Sequence, residues 1–154
     1  CEIRPDSASQ HIEMPTLSLS QLPRANNELS TDFKTFSFTL HKCRKGTAPY
    51  ISLKDMTDPS NITKNLTLSN LTGAPPGGLA IRLLRQDSGG VWNDVTFGPS
   101  PVTIDSSQPN QFAVGPAAVT NATIEIPFRA HYVRTGKMSA GDVDAKAVIE
   151  VMYK

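Results

Sequence analysis

Any chemistry in this chain of 154 residues falls to a short inventory of side chains: two cysteines, three histidines, one tryptophan and 14 carboxylates. Cys1 and Cys43 form an even pair, far apart, with no C-x-x-C spacing and no histidine cluster beside them. That pattern reads as a structural disulfide made in an oxidising compartment. Closing a loop of that length is worth about 4 kcal/mol in the chain-entropy picture. Cys1 leaves a second chemistry open, because a processed bacterial lipoprotein also begins at a cysteine, which carries lipid; Cys43 would then be unpaired. Structural zinc needs four ligands. Two thiols and the dispersed His11, His41 and His131 do not make such a set, so neither a metal nor a cofactor is expected.

Acid, base and nucleophile constellations are equally thin. The carboxylates fall mostly at turns or on the polar side of alternating segments, and the chain has no G-x-S-x-G elbow, P-loop or H-E-x-x-H. His131 is out of phase with Ala130 and Tyr132, which predicts a solvent-facing sheet position. Trp92, beside "DSGG", is expected to pack at the start of a strand. Sequons begin at Asn61, Asn65, Asn70 and Asn121; they would matter in a eukaryotic secreted protein, but segments rich in Thr and Asn produce them by chance. No enzymatic activity is expected. With 38% hydrophobic residues, 19% charged residues, a net charge of +1 and scattered Lys and Arg, the chain has no basic face for nucleic acid. No apolar run approaches the roughly 20 residues of a membrane span. The absence of a starting Met and of a charged-then-apolar leader suggests a mature form or an excised piece.

The elements that would position these side chains alternate with period two, the mark of half-buried strands. "DFKTFSFTLHKC" sets Phe36, Phe38 and Leu40 on one face, and "GGLAIRLL" does the same with Leu79, Ile81 and Leu83. "ATIEIPFRAHYV" alternates Ile124, Ile126, Phe128, Ala130 and Tyr132. "YISLKDM" and "NLTLSNL" add shorter strands, and "HIEMPTLSLSQLP" predicts a bent first strand whose phase shifts at Pro15. The last run, "GDVDAKAVIEVMYK", alternates up to the final residue, although chain ends usually lose order unless tied down. Turn clusters such as "DPSN", "GAPPGG", "DSGG", "FGPSP" and "DSSQPN" separate these runs. We find no amphipathic helix, internal repeat or second domain. The expectation is one all-β domain over 1–154, a sandwich or barrel, that buries roughly 70% of its unfolded surface.

The chain's end, "FRAHYVRTGKMSAGDVDAKAVIEVMYK", resembles the C-terminal signature of chaperone–usher pilins: F-x-A-x-Y, a Gly-containing turn, A-G-x-V-x-A-x-A and a final strand with tyrosine second from its end. "FSFTLHKC" is similar to that family's F-x-I-x-L-x-x-C strand, and "GGLAIRLL" to its G-V-x-I-x-L strand. The Cys1–Cys43 pair matches the family's single disulfide, so the resemblance covers nearly the whole chain.

What the resemblance implies is an incomplete immunoglobulin-like β-sandwich that lacks its seventh strand and is completed by a donor strand in trans. The acceptor groove would be walled by Val143, Ala145, Ala147, Ile149, Val151 and Tyr153, with Ile3, Ile12 and Met14 opposite. A periplasmic chaperone would supply a strand first and hold the α-carboxylate of Lys154. Next, at the outer-membrane usher, the N-terminal extension of a neighbouring pilin would replace it in a fimbria that supports cell adhesion. Localisation would be periplasmic in transit and then extracellular. Polymerising pilins carry a donor extension before their first cysteine. Its absence suggests either a truncated shaft subunit or the C-terminal pilin domain of a tip adhesin, with the receptor-binding domain not included. A complete immunoglobulin-like binding module and a surface lipoprotein are the alternatives.

Overall fold

A computed structural model describes residues 1–70, 73–105 and 107–154. The strands are β1 (Glu2–Ile3), β2 (Leu29–Cys43), β3 (Pro49–Asp55), β4 (Asn65–Leu66), β5 (Leu79–Gln86), β6 (Trp92–Asp94), β7 (Gln111–Ala113), β8 (Ala122–Arg134) and β9 (Ala147–Tyr153). The one α-helix among the described residues, α1 (Pro5–Ala8), is a single turn that starts at proline, as a first helical position allows. All strand pairings are antiparallel. One sheet runs β1-β2-β8-β5-β4, with β6 also on β5; the other runs β7-β3-β9.

The long central pair shows why the alternating sequences fold this way. Phe36 lies opposite Phe128, Phe38 opposite Ile126 and Leu40 opposite Ile124, so both strands turn the same parity inward. Ile81 and Leu83 of β5 face Tyr132 and Ala130 in turn. Together with Ile51 and Leu53 of β3, and with Val95 and Phe97, they form one core between the two sheets. Phe128, Leu40, Ile51 and Phe97 are fully buried.

Local chemistry secures the crossings. The side-chain oxygen of Ser7 on α1 accepts the N–H of Thr39 at 2.9 Å, covering part of the edge of β2 beyond β1. The loop 73–78 crosses the loop 136–142, where a Cβ on Gly141 would stand 2.5 Å from the Pro76 nitrogen and one on Gly78 2.4 Å from the Lys137 carbonyl. Gly78 also has φ of +65°. Only glycine fits either position without moving backbone.

Several sequence expectations need correction. The bent first strand over "HIEMPTLSLSQLP" does not form: residues 9–18 pair with no strand, and Leu19–Gln21 is a 3-10 turn. Of "NLTLSNL" only Asn65–Leu66 pairs as a strand, while Leu71 lies outside the described residues. His131 has the expected outward phase but is not solvent-facing. It is 8% exposed beneath Phe33, and its Nδ1 lies 2.9 Å from the Ser30 carbonyl oxygen. Trp92 does open a strand, β6.

Candidate functional site

The last strand is tied down on one side only. β9 pairs with β3 from Pro49↔Tyr153 to Asp55↔Ala147. The ladder continues past the strand, since Lys154 N–H donates to the Ala48 carbonyl at 2.9 Å and Ala48 N–H donates back at 3.0 Å. An antiparallel ladder alternates bonded and non-bonded pairs. The even residues Val148, Glu150, Met152 and Lys154 therefore point their backbone groups at β3. Ala147, Ile149, Val151 and Tyr153 point theirs the other way. Among the described residues no backbone partner meets that outer edge. Pro49, which has no N–H to give, sits at a non-bonded pair and costs this ladder nothing.

The same residues present the apolar face. Val143, Ala145, Ala147, Ile149 and Val151 all pack against the core, yet none is buried, and Tyr153 is 41% exposed. Upstream of β9, Ser69 guides the backbone, its N–H donating to the Asp144 carbonyl at 2.7 Å and its hydroxyl to the Asp144 carboxylate at 2.8 Å. The alternation that begins at Val143 in the sequence thus becomes ladder only from Ala147.

Nearer the start of the chain, Met14 packs against the core together with Leu17, and the Tyr132 hydroxyl donates to the Pro15 carbonyl at 2.9 Å. Burial pushes the Tyr132 phenol up from its ordinary pKa. Ile12 is only partly covered, and Ile3, 41% exposed on β1, pairs with Leu40 of β2; neither packs on the core cluster. Met14 and the C-terminal residues Val143, Ala145, Ala147, Ile149 and Val151 thus pack on the same core cluster. Leu17 was visible in the sequence, where it continues the alternation after the phase shift at Pro15.

One polar cluster went unnoticed in the sequence, because "DPSN" signals only a turn. Asp55, 1% exposed at the β9-facing end of β3, accepts four hydrogen bonds. They come from the Thr57 and Asp58 N–H groups at 2.9 and 3.2 Å, the Asn61 amide at 2.9 Å and the Thr67 N–H at 3.0 Å. Burial alone would raise its pKa, but the bonds from Asn61, Thr67 and Asp58 outweigh burial and hold the carboxylate below its usual value. The Asn61 amide nitrogen is also bonded to the Asn65 carbonyl, so it is engaged inside the fold.

Cys1 is bridged to Cys43, which fastens the start of the chain to the end of β2 and leaves no thiol at Cys1 for lipid. Among the described residues no group of three or more His, Cys, Asp or Glu side chains gathers in one place, and no helix is long and apolar enough to cross a membrane. A shallow depression of about 430 Å³ at the β4 edge, lined by Asp58, Thr63 and Pro75 among others, lies outside this strip.

Comparison with known proteins places this arrangement. A family described as "Fimbrial protein" matches residues 1–154. The minor fimbrial subunit HifD of Haemophilus influenzae is 29% identical, over 99% of this chain and 67% of that protein. Among solved structures, the P pilus rod subunit PapA matches with a TM-score of 0.65 at 16% identity, covering 100% of this chain and 99% of that one. The CupB6 tip adhesin from Pseudomonas aeruginosa matches with a TM-score of 0.58 at 20% identity over 86% of this chain, which spans only 33% of the adhesin. The family match over the whole of residues 1–154, with which the terminal motif and the two-sheet fold agree, shows that the chain belongs to the fimbrial protein family.

Proposed function

We propose that the chain is a strand acceptor in a bacterial fimbria. In this reading a neighbouring subunit lays its N-terminal donor strand along β9, pairs with the outward backbone groups of Ala147, Ile149, Val151 and Tyr153, and buries alternate apolar side chains against the strip and Met14. The observation that carries the reading is the unpaired edge of β9, whose side chains pack on the core and yet stay unburied. Exposed edges recruit strands, and strand addition is a recurring recognition mode. A periplasmic chaperone would occupy the same edge before the usher passes the subunit to the extracellular fibre, and basic residues of the chaperone would hold the Lys154 carboxylate. The work is structural and non-catalytic, and residues 1–154 act as one domain.

Burying three or four donor side chains at roughly 1.5–3 kcal/mol each is comparable with the net stability of a domain. Thermal unfolding of the chain with and without a peptide alternating Val, Ile or Leu with polar residues is the test. At roughly 2–4 °C per kcal/mol, the midpoint should rise by at least about 10 °C. An unmoved midpoint in a monomeric chain would mean that the sandwich is already complete. A few residues appended after Lys154 should weaken recovery with a cognate chaperone more than Lys154→Ala does, because a carboxylate is a strong, directional acceptor for Arg or Lys.

A further inference from the structure

The outward face of the larger sheet carries a second feature, unrelated to strand acceptance. The Arg129 guanidinium of β8 lies 4.0 Å from the Trp92 ring centre and 4.5 Å from that of Phe33. Phe33 in turn meets the His131 ring at 4.8 Å. Arg82 of β5 lies directly opposite His131 and Leu84 opposite Arg129, so two guanidiniums and an imidazole share one face. The two arginines are diagonal neighbours on that face, within reach of each other's long side chains, and like charges so placed repel. Among the described residues no carboxylate reaches ion-pair distance of either arginine. Asp94, on the same face opposite Leu84, is engaged with Lys64 at 3.3 Å, and Glu125 takes the Ser37 hydroxyl at 2.8 Å. The Nε atoms of Arg82 and Arg129 are buried without hydrogen-bond partners. Arg82 donates once, to the Asn65 side-chain oxygen at 2.7 Å.

We propose that this patch is a docking site for an acidic segment of a partner protein: one Asp or Glu carboxylate seats on the outer N–H edge of Arg129, and the apolar flank of the segment rests on Phe33 and Trp92. Two rings hold the guanidinium in place, which leaves its fork for a planar, bidentate acceptor. Trp, Phe and Arg grouped together are the residues that dominate protein–protein contacts. A sugar acid is the poorer fit, since sugar stacking needs a bare ring face and both rings already have a face against the cation, Phe33 also contacting His131.

Trp92 is the only tryptophan in the chain, so its emission reports on this site directly. Titrating the purified chain with hexaglutamate should change that emission saturably, more weakly in high salt, and hexaserine should leave it unchanged. Arg129→Gln, with its fold checked by far-UV circular dichroism, should bind roughly tenfold or more weakly. Arg129→Lys, which keeps the charge and loses the fork, should fall between. No saturable change with hexaglutamate, or equal affinity in Arg129→Gln, would overturn the proposal and leave the trio a brace across the sheet. A response to polygalacturonate without one to hexaglutamate would overturn it in favour of an acidic saccharide.

Discussion

Leu53 of β3 and Ile149 of β9 stand opposite each other in one ladder. They are similar in size and face the same core, but Leu53 is 1% exposed while Ile149 is only partly covered. The difference extends along both strands. β3 has neighbours on both edges and buries five of its seven residues; β9 has one neighbour among the described residues and buries none. Composition does not separate them, since β9 is the more apolar of the two. Burial here is set by neighbours, and an apolar strand with one neighbour keeps a share of its hydrophobic stabilisation in reserve for whatever arrives on the other side.

The contrast can be broken at several points. Leu53→Ala should cost about 2–5 kcal/mol, with or without a donor peptide, in chemical denaturation. Ile149→Ala should cost under about 1 kcal/mol in the isolated chain and approach the same core value once a donor is bound. Equal costs in the isolated chain would mean that β9 is already as enclosed as β3.

The next largest effect belongs to Asp55, where β3 meets the start of β9. Asp55→Asn turns one of the two acceptor oxygens into a donor, set either against the N–H groups of Thr57 and Asp58 or against the Asn61 amide and the Thr67 N–H, and should cost about 1–3 kcal/mol. The same group predicts an acid dependence. Its carboxylate is held below the usual value when folded, so its stabilisation is present above the unfolded pKa of about 3.9 and disappears as pH falls through the lower folded value. A stability profile over that acid window should lose this component in Asp55→Asn.

The smallest effect in the isolated chain is the most discriminating. Ala147→Phe adds a ring at an open edge and should leave the unfolding midpoint of the unliganded protein within about 0.5 kcal/mol of the parent. The gain from a donor peptide should disappear all the same. Retention of that gain would move the donor's path away from Ala147.

The long strands were legible because one-sided burial writes a period of two over enough residues to be seen, as in Phe36, Phe38 and Leu40 or Phe128, Ala130 and Tyr132. β1, β4, β6 and β7 have two or three residues each, too few to display a period, and they exist because a longer strand offers them an edge. The segment around Ile12 and Met14 shows the opposite failure: it alternates like a strand but pairs with no neighbour among the described residues. His131 had the right phase and the wrong burial, because the irregular register between Leu29 and Phe33 brings Ser30 and Phe33 over it. Of the open β9 edge, the alternation from Val143 to Tyr153 was readable residue by residue. Which upstream residues pack on the core was not, since Ile3 belongs to β1 and Leu17 comes in only after the phase shift at Pro15. Asp55 was hidden for a different reason: a buried carboxylate satisfied by its own loop looks in sequence like any turn aspartate.

The alternation of backbone direction along β9 should also be visible in time. The amides of Val148, Glu150, Met152 and Lys154 are locked to β3, whereas those of Ala147, Ile149, Val151 and Tyr153 face outward. Amide hydrogen exchange should therefore read the strand as a comb, slow and fast at successive residues, a pattern that fraying of the whole strand would not produce. A bound donor strand would slow the fast teeth alone, so four amides would count occupied subunits without any label on the partner.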